Sequence, residues 1–226
     1  MRLGNNTHDE EMRRAPKFMK NLIKRLLLAF AICSGAGVSS IAQDRQTPDA
    51  ARTSTKADPV VIVHQDKQLE KYSPPDGAFS ILLPGKPEVA EEGVDTAVGK
   101  LINHTFSAEG TRVSYAVMYG ELPAPVSDPE VIKGMLDNAR ISGLAAVHGE
   151  LQSETEITIN GYLGREWLVK IPSGLFLQAR AYQVKNRLYQ VIAMKLPEQN
   201  PEILKSREIE VKRFFDSFAL ASEATK

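Results

Sequence analysis

Arg165 and Arg180, with Trp167 and Tyr182 beside them, are the residues of this 226-residue chain whose types could best hold a ligand. A guanidinium fork grips a carboxylate or phosphate through two parallel hydrogen bonds, and a neighbouring aromatic face can carry a planar group. Whether the four meet depends on hairpin register. With two-residue turns at Asn160-Gly161, Pro172-Ser173 and Lys185-Asn186, Glu156 faces Arg165, Arg165 faces Arg180, and Arg180 faces Val191. Glu154, Trp167 and Gln178 then lie one step along that face, and Leu163, Tyr182 and Tyr189 one step the other way. The opposite face carries Ile157, Leu168, Leu177, Ala179, Ala181, Ile192 and Met194, and must lie against a helix. Two readings follow. In the structural one, Glu154 and Glu156 hold both arginines in a cross-strand ladder, each pair contributing about 0.2–1 kcal/mol. In the functional one, Arg165, Arg180, Trp167 and Tyr182 form a ligand-binding platform for an anionic or planar group. A ladder is the commoner arrangement on a sheet. A third residue in the Pro172 turn, such as Gly174, would move Arg180 to the other face and dissolve the constellation.

Other chemistry is sparse. The histidines His8, His64, His104 and His148 show no HxH or HExxH spacing, so the sequence predicts no metal site. His148 reads as a cation at a helix C-terminus. No GxSxG, GxGxxG or P-loop is present, so neither a catalytic residue nor a cofactor is predicted. Asn103-His104-Thr105 matches a glycosylation sequon but falls inside an expected strand. The single cysteine, Cys33, precludes an intramolecular disulfide. Ile32 before it is too large for lipid attachment, so it reads as part of an apolar leader.

That leader is the strongest signal in the chain. Lys20, Lys24 and Arg25 precede an apolar run from Leu26 to Val38, followed by Ser39-Ser40-Ile41-Ala42-Gln43, with Ser40 and Ala42 placed for cleavage between Ala42 and Gln43. The run is shorter than the roughly 20 residues that span a bilayer. Residues 1–42 are thus expected to form a signal peptide; an uncleaved anchor is the alternative. Asp9, Glu10 and Glu11 serve no export role, which favours initiation at Met19. Residues 1–25 hold seven basic and three acidic residues, and 21 basic and 25 acidic residues follow. The whole-chain neutrality hides a mildly acidic body, which argues against nucleic acid as a partner.

Residues 43–58 are polar and aperiodic, a disordered linker; residues 59–76 are a partly ordered lead-in, with Val60–Val63 a candidate edge strand; residues 77–220 form the domain and 221–226 a tail. Strands are expected at Phe79–Leu83, Lys100–Ala108 and Val113–Glu121. A helix follows, with Ser127 as N-cap and Gly149 as its stop. Four strands in a meander come next, Leu151–Ile159, Tyr162–Ile171, Leu175–Val184 and Arg187–Leu196, and a last helix is opened by Asn200-Pro201-Glu202. Apolar stripes at Val131, Ile132, Met135, Leu136 and Ala139, and at Leu204, Val211, Phe214, Phe215 and Phe218, give the two helices their buried faces. Strands joined by hairpins, with helices set apart, indicate a single α+β domain with an antiparallel sheet.

The run Ala78-Phe79-Ser80-Ile81-Leu82-Leu83-Pro84-Gly85-Lys86-Pro87 resembles the opening strand and turn of PsbP-like domains. Gly164-Arg165-Glu166, Asn186-Arg187-Leu188-Tyr189 and Phe215-Asp216-Ser217-Phe218 resemble segments of small exported bacterial proteins with that fold. The resemblance spans roughly residues 77–220. It implies a central antiparallel sheet flanked by helices and a binding or accessory role, and carries no site residues with it. The expectation is an exported, non-catalytic domain, periplasmic or secreted, that binds an envelope protein or a small ligand. A membrane-tethered form and a small hydrolase with a non-local active site are the alternatives.

Overall fold

The structure, a computed structural model, describes residues 68–221 other than 77, 97 and 98. The leader, the linker and Val60–Val63 lie outside the described residues. Among the described residues, two helices and ten strands form two antiparallel sheets. The small one has the order β1-β2-β10, from β1 (Glu70–Tyr72), β2 (Phe79–Leu83) and β10 (Ala219–Leu220). The large one has the order β3-β4-β5-β9-β8-β7-β6. Its strands are β3 (Glu88–Thr96), β4 (Gly99–Glu109), β5 (Val113–Glu121), β6 (Glu150–Ile159), β7 (Tyr162–Lys170), β8 (Phe176–Val184) and β9 (Arg187–Lys195). Helix α1 (Pro129–Val147) carries the chain from central β5 to the far edge at β6; α2 (Pro201–Asp216) follows β9.

Strand β3 has no counterpart in the sequence reading. Its residues, Glu-Val-Ala-Glu-Glu-Gly-Val-Asp-Thr, lack clean alternation because an edge strand needs only one partner and tolerates charge. β1 and β10, of three and two residues, are too short to leave a periodic trace.

Alternation along the large sheet creates two apolar clusters, one per face. Leu136, Ala139 and Val147 of α1 pack with Trp167, Val169, Leu177, Ala179, Ile192 and Met194. Val211, Phe214 and Phe215 of α2 pack with Phe79, Ile81, Tyr115, Val117, Tyr182, Tyr189 and Val191. The expected face of Val113, Tyr115, Val117 and Tyr119 falls wholly in this second cluster. Val131 and Leu204, expected in the helix stripes, are instead exposed.

Both ends of α1 differ in detail from the expectation. Its N-cap is Asp128, whose carboxylate accepts from the backbone N–H of Glu130 (2.9 Å) and Val131, because Pro129 takes the first helical position. At the other end His148, not Gly149, adopts the left-handed conformation, at φ 50°. His148 N–H donates to Ala145 C=O and Gly149 N–H to Leu144 C=O, closing a Schellman motif. Gly149 is required for another reason: a Cβ there would stand 2.3 Å from Val169 Cγ1. His148 is exposed and carries the left-handed penalty of a side chain. His148→Gly is therefore expected to raise stability by about 1 kcal/mol, seen as a Tm increase of roughly 2–4 °C. An unchanged or lower Tm would mean the imidazole compensates at the helix terminus.

Candidate functional site

The structure separates the four residues singled out as a platform. Across Asn160-Gly161 the expected register holds, with Glu156 opposite Arg165 and both turn residues at positive φ. Across Lys185-Asn186 it holds as well, with Arg180 opposite Val191. The middle turn breaks it: Arg165 faces Ala181, and Arg180 faces Glu166. Gly174, at φ +83°, is the third residue of that turn, and Ile171 N–H reaches past it to Leu175 C=O at 2.9 Å. One extra residue moves every following side chain to the other face. Arg165 and Trp167 consequently lie on the α1 side of the sheet, and Arg180 and Tyr182 on the α2 side.

On the α1 side, Arg165 Nη1 stands 2.7 Å from Glu154 Oε1 and 3.0 Å from Asp137 Oδ1 of α1. Arg140, one turn on from Asp137, places Nη1 2.5 Å from the other Glu154 oxygen. Asp137, Arg140, Glu154 and Arg165 thus form an alternating quartet that ties α1 to β6 and β7. The hydrogen bond to Glu154, with the charge of Asp137, outweighs partial burial and holds the Arg165 guanidinium above its usual pKa. Glu156, the expected partner, is exposed, whereas Glu154 lies diagonally within reach. Trp167 is fully committed to the α1 cluster.

On the α2 side, Arg180 Nε donates to Glu166, and Nη1 lies 3.6 Å from Asp216 Oδ1. Its guanidinium covers the Phe215 ring at 4.9 Å, and Gln178 Nε2 donates to the other Glu166 oxygen at 3.1 Å. Burial would lower the Arg180 pKa, but Glu166 and its neighbours prevail and the net shift is upward. Tyr182 stacks on Phe218 with an interplanar angle of 11°. Both arginines are therefore bound to carboxylates, but on opposite faces and in two separate groups, so neither the Glu154–Glu156 ladder nor the four-residue platform forms.

A third group has no counterpart in the sequence reading. Asp76, in the turn that follows Pro74, accepts from the Tyr119 hydroxyl at 2.5 Å. Arg187 stacks over the Tyr119 ring at 5.0 Å while Nη2 meets Glu121 at 2.5 Å, and His104 stacks on the same ring with Nδ1 3.1 Å from Glu91. The signal for it is Arg187 opposite Glu121 across β5 and β9, a pairing of strands distant in sequence that hairpin arithmetic cannot reach. Burial, reinforced by the hydrogen bond to Asp76, pushes the Tyr119 pKa well above its ordinary value; burial raises Tyr182 and Tyr189 too. The folded state then binds these protons more tightly than the unfolded chain does. Their contribution is fully present below pH about 10 and is lost as pH rises from there through the folded values. Tm is expected to fall steeply above pH 10, and less steeply in Tyr119→Phe; parallel pH profiles for the two proteins would refute this.

A cleft of about 340 Å³ runs between the start of β5 and the N-terminal half of α2, lined by Arg112, Val113, Glu202, Ile203, Arg207 and Glu210 among others. Arg112 Nη1 pairs with Glu198 at 2.5 Å, and Glu210 accepts from the Tyr115 hydroxyl at 2.6 Å. Arg207 is 7% exposed, donates from Nη1 to Leu196 C=O at 2.5 Å, and has a buried Nε without an acceptor. An unsatisfied donor of this kind costs about 1–3 kcal/mol. Among the described residues no set of three or more His, Cys, Asp or Glu side chains converges as a metal site would require, and no helix is long and apolar enough to cross a membrane.

No protein-family model matches the sequence, and no curated protein matches it. Among solved structures, the chain is similar to cyanobacterial PsbP (CyanoP) from Synechocystis sp. PCC 6803, at 13% identity and a TM-score of 0.45, over 68% of this chain and 93% of that one. It is also similar to PA94, a protein of unknown function from Pseudomonas aeruginosa, at 8% identity and a TM-score of 0.34, over 64% and 94% of the two chains. PsbP is the family the short sequence motifs resemble; neither likeness carries a function to this chain.

Proposed function

We propose that the chain is an exported cell-envelope domain that binds a ligand or a partner rather than transforming one. The observation that carries the binding half is the composition of the cleft. Its cations are arginines, which stay protonated at any physiological pH and cannot serve as general bases, but are well suited to holding an anion. Export rests on the basic and apolar leader ending at Ala42. Elsewhere the arginines Arg165, Arg180 and Arg187 serve stability, each bound to a carboxylate on a neighbouring strand.

Expression of the full chain in an exporting bacterium tests the first half. The envelope fraction should yield a mass that starts at Gln43. A mass retaining the leader would favour the tethered form, and retention in the cytoplasm would overturn export. For the second half, ester, amide and phosphate chromogens should show no turnover. Turnover abolished by Ser206→Ala, a hydroxyl in the cleft, would put a hydrolase in the binder's place.

A further inference from the structure

We propose that the cleft between β5 and α2 binds a small organic monocarboxylate with a short apolar body, its carboxylate held by Arg207. This rests on the reading of the domain as a binding module and names the ligand class. Four other cations near or on the sheet have counterions in place: Arg112 with Glu198, Lys195 with Glu208, Arg165 with Glu154 and Arg180 with Glu166. Arg207 is more than nine-tenths buried, yet makes no ion pair among the described residues; its Nη1 has the Leu196 carbonyl, and its Nε has nothing. Arg165, Arg180 and Arg187 have their pKa values shifted up, whereas that of Arg207 is shifted down, chiefly by burial, which with the like charge of Arg112 outweighs the opposing charges of Glu208 and Glu198. Buried charges are paired as a rule, and among the described residues no carboxylate lies within ion-pair distance of this one.

The rest of the cleft narrows the class. Val113 and Ile203 supply apolar wall, so the ligand needs an apolar body as well as a charge. Glu202 and Glu210 also line it, and two carboxylates repel a phosphate dianion more than a monoanion. About 340 Å³ suits one small acid or the last side chain of a peptide, not a helix. The shared chemistry is a carboxylate next to a branched aliphatic group, from a free acid or a chain terminus.

The test follows the Arg207 Nε–H resonance of the full-length chain by NMR during titration with isovalerate, isovaleramide, inorganic phosphate, and a valine-terminated acetylated dipeptide as acid or amide. Isovalerate should shift that resonance and the backbone amides of Val113 and Ile203, saturating in the millimolar range, while isovaleramide and phosphate leave them in place. Tighter binding of the dipeptide acid than of isovalerate would identify a chain terminus as the source, and the reverse a free acid. Arg207→Met should weaken isovalerate binding about tenfold, the scale of one charge-assisted contact, and Arg207→Lys less. Lys tests the same point should the Met variant fail to fold. Equal binding of acid and amide, preference for phosphate, no shift with any probe, or unchanged affinity in Arg207→Lys and Arg207→Met would overturn the proposal. The exported binding module would survive those results, because leader processing and the chromogen assay test it separately.

Discussion

Replacing Gly164 with alanine is expected to destabilise the domain by about 3 kcal/mol and lower its Tm by roughly 6–12 °C. Gly164 sits in β7 between Ile157 of β6 and Tyr182 of β8. A Cβ there would stand 2.4 Å from Tyr182 Cδ1 and 2.5 Å from the Ala181 carbonyl oxygen. Neither neighbour can withdraw cheaply. The carbonyl belongs to the backbone of an interior strand, and the Tyr182 ring is buried, stacked on Phe218 and packed in the α2 cluster. Relief would require β7 and β8 to part at the centre of the meander, with loss of ladder hydrogen bonds on either side. Gly134 provides the contrast. It lies on the exposed face of α1, where an added methyl group would meet nothing within 4 Å, so Gly134→Ala should raise stability by about 0.5–1 kcal/mol through helix propensity. Urea unfolding of both variants decides the matter. A Gly164→Ala protein as stable as the parent would show that β7 and β8 slide past each other freely.

That glycine also illustrates which parts of the fold are legible in the chain. Gly164-Arg165-Glu166 is recognisable as a motif, but its cause is steric and becomes visible only when β8 lies alongside. Local signals carry well: Asn160-Gly161 and Lys185-Asn186 set their registers as expected, and Asn200-Pro201-Glu202 opens α2. At Pro172-Ser173 the two-residue expectation fails because Gly174 belongs to the turn and not to the strand; glycine is the residue a three-residue turn places in the left-handed region. This single step decides the fate of the expected platform, since it alone sends Arg180 and Tyr182 to the face opposite Arg165 and Trp167. Long-range pairings are the other blind spot. The adjacency of β5 and β9, which brings Arg187 to Glu121, and the packing of α2 beside Arg112 depend on tertiary closure, for which a strand pattern holds no offset to count. The buried, unpaired state of Arg207 is hidden for the same reason: on the sequence it is one more charge in a helix where Lys205, Glu208, Glu210, Lys212 and Arg213 surround it with both signs.

The quartet beneath α1 should respond unequally to loss of its members. Glu154→Gln is expected to cost about 2–3 kcal/mol, and Arg165→Met about 1 kcal/mol or less. Glu154 is the shared acceptor: one oxygen takes Arg165 Nη1 at 2.7 Å, the other Arg140 Nη1 at 2.5 Å. Both arginines already carry a buried Nε without a partner, and among the described residues Arg140 has no other carboxylate within 3.5 Å. An amide in place of the carboxylate offers one oxygen and turns an NH₂ toward the second guanidinium, setting donor against donor. Asp137 still holds Arg165 Nη1 at 3.0 Å, but it is 35% exposed and lies 3.6 Å from Arg140, too far and too wet to replace Glu154 there. Removing Arg165 is milder, because Glu154 keeps Arg140 and the methionine restores much of the apolar stem. The double variant should then cost less than the sum of the two, since the second change removes a guanidinium the first had left without its acceptor. Chemical denaturation of the three proteins at low and high salt measures these differences. The order should persist at high salt, because partly buried pairs are screened less than exposed ones. If Arg165→Met proves as costly as Glu154→Gln, Arg165 holds α1 to the sheet through Asp137 instead, and Glu154 is not the centre of the group.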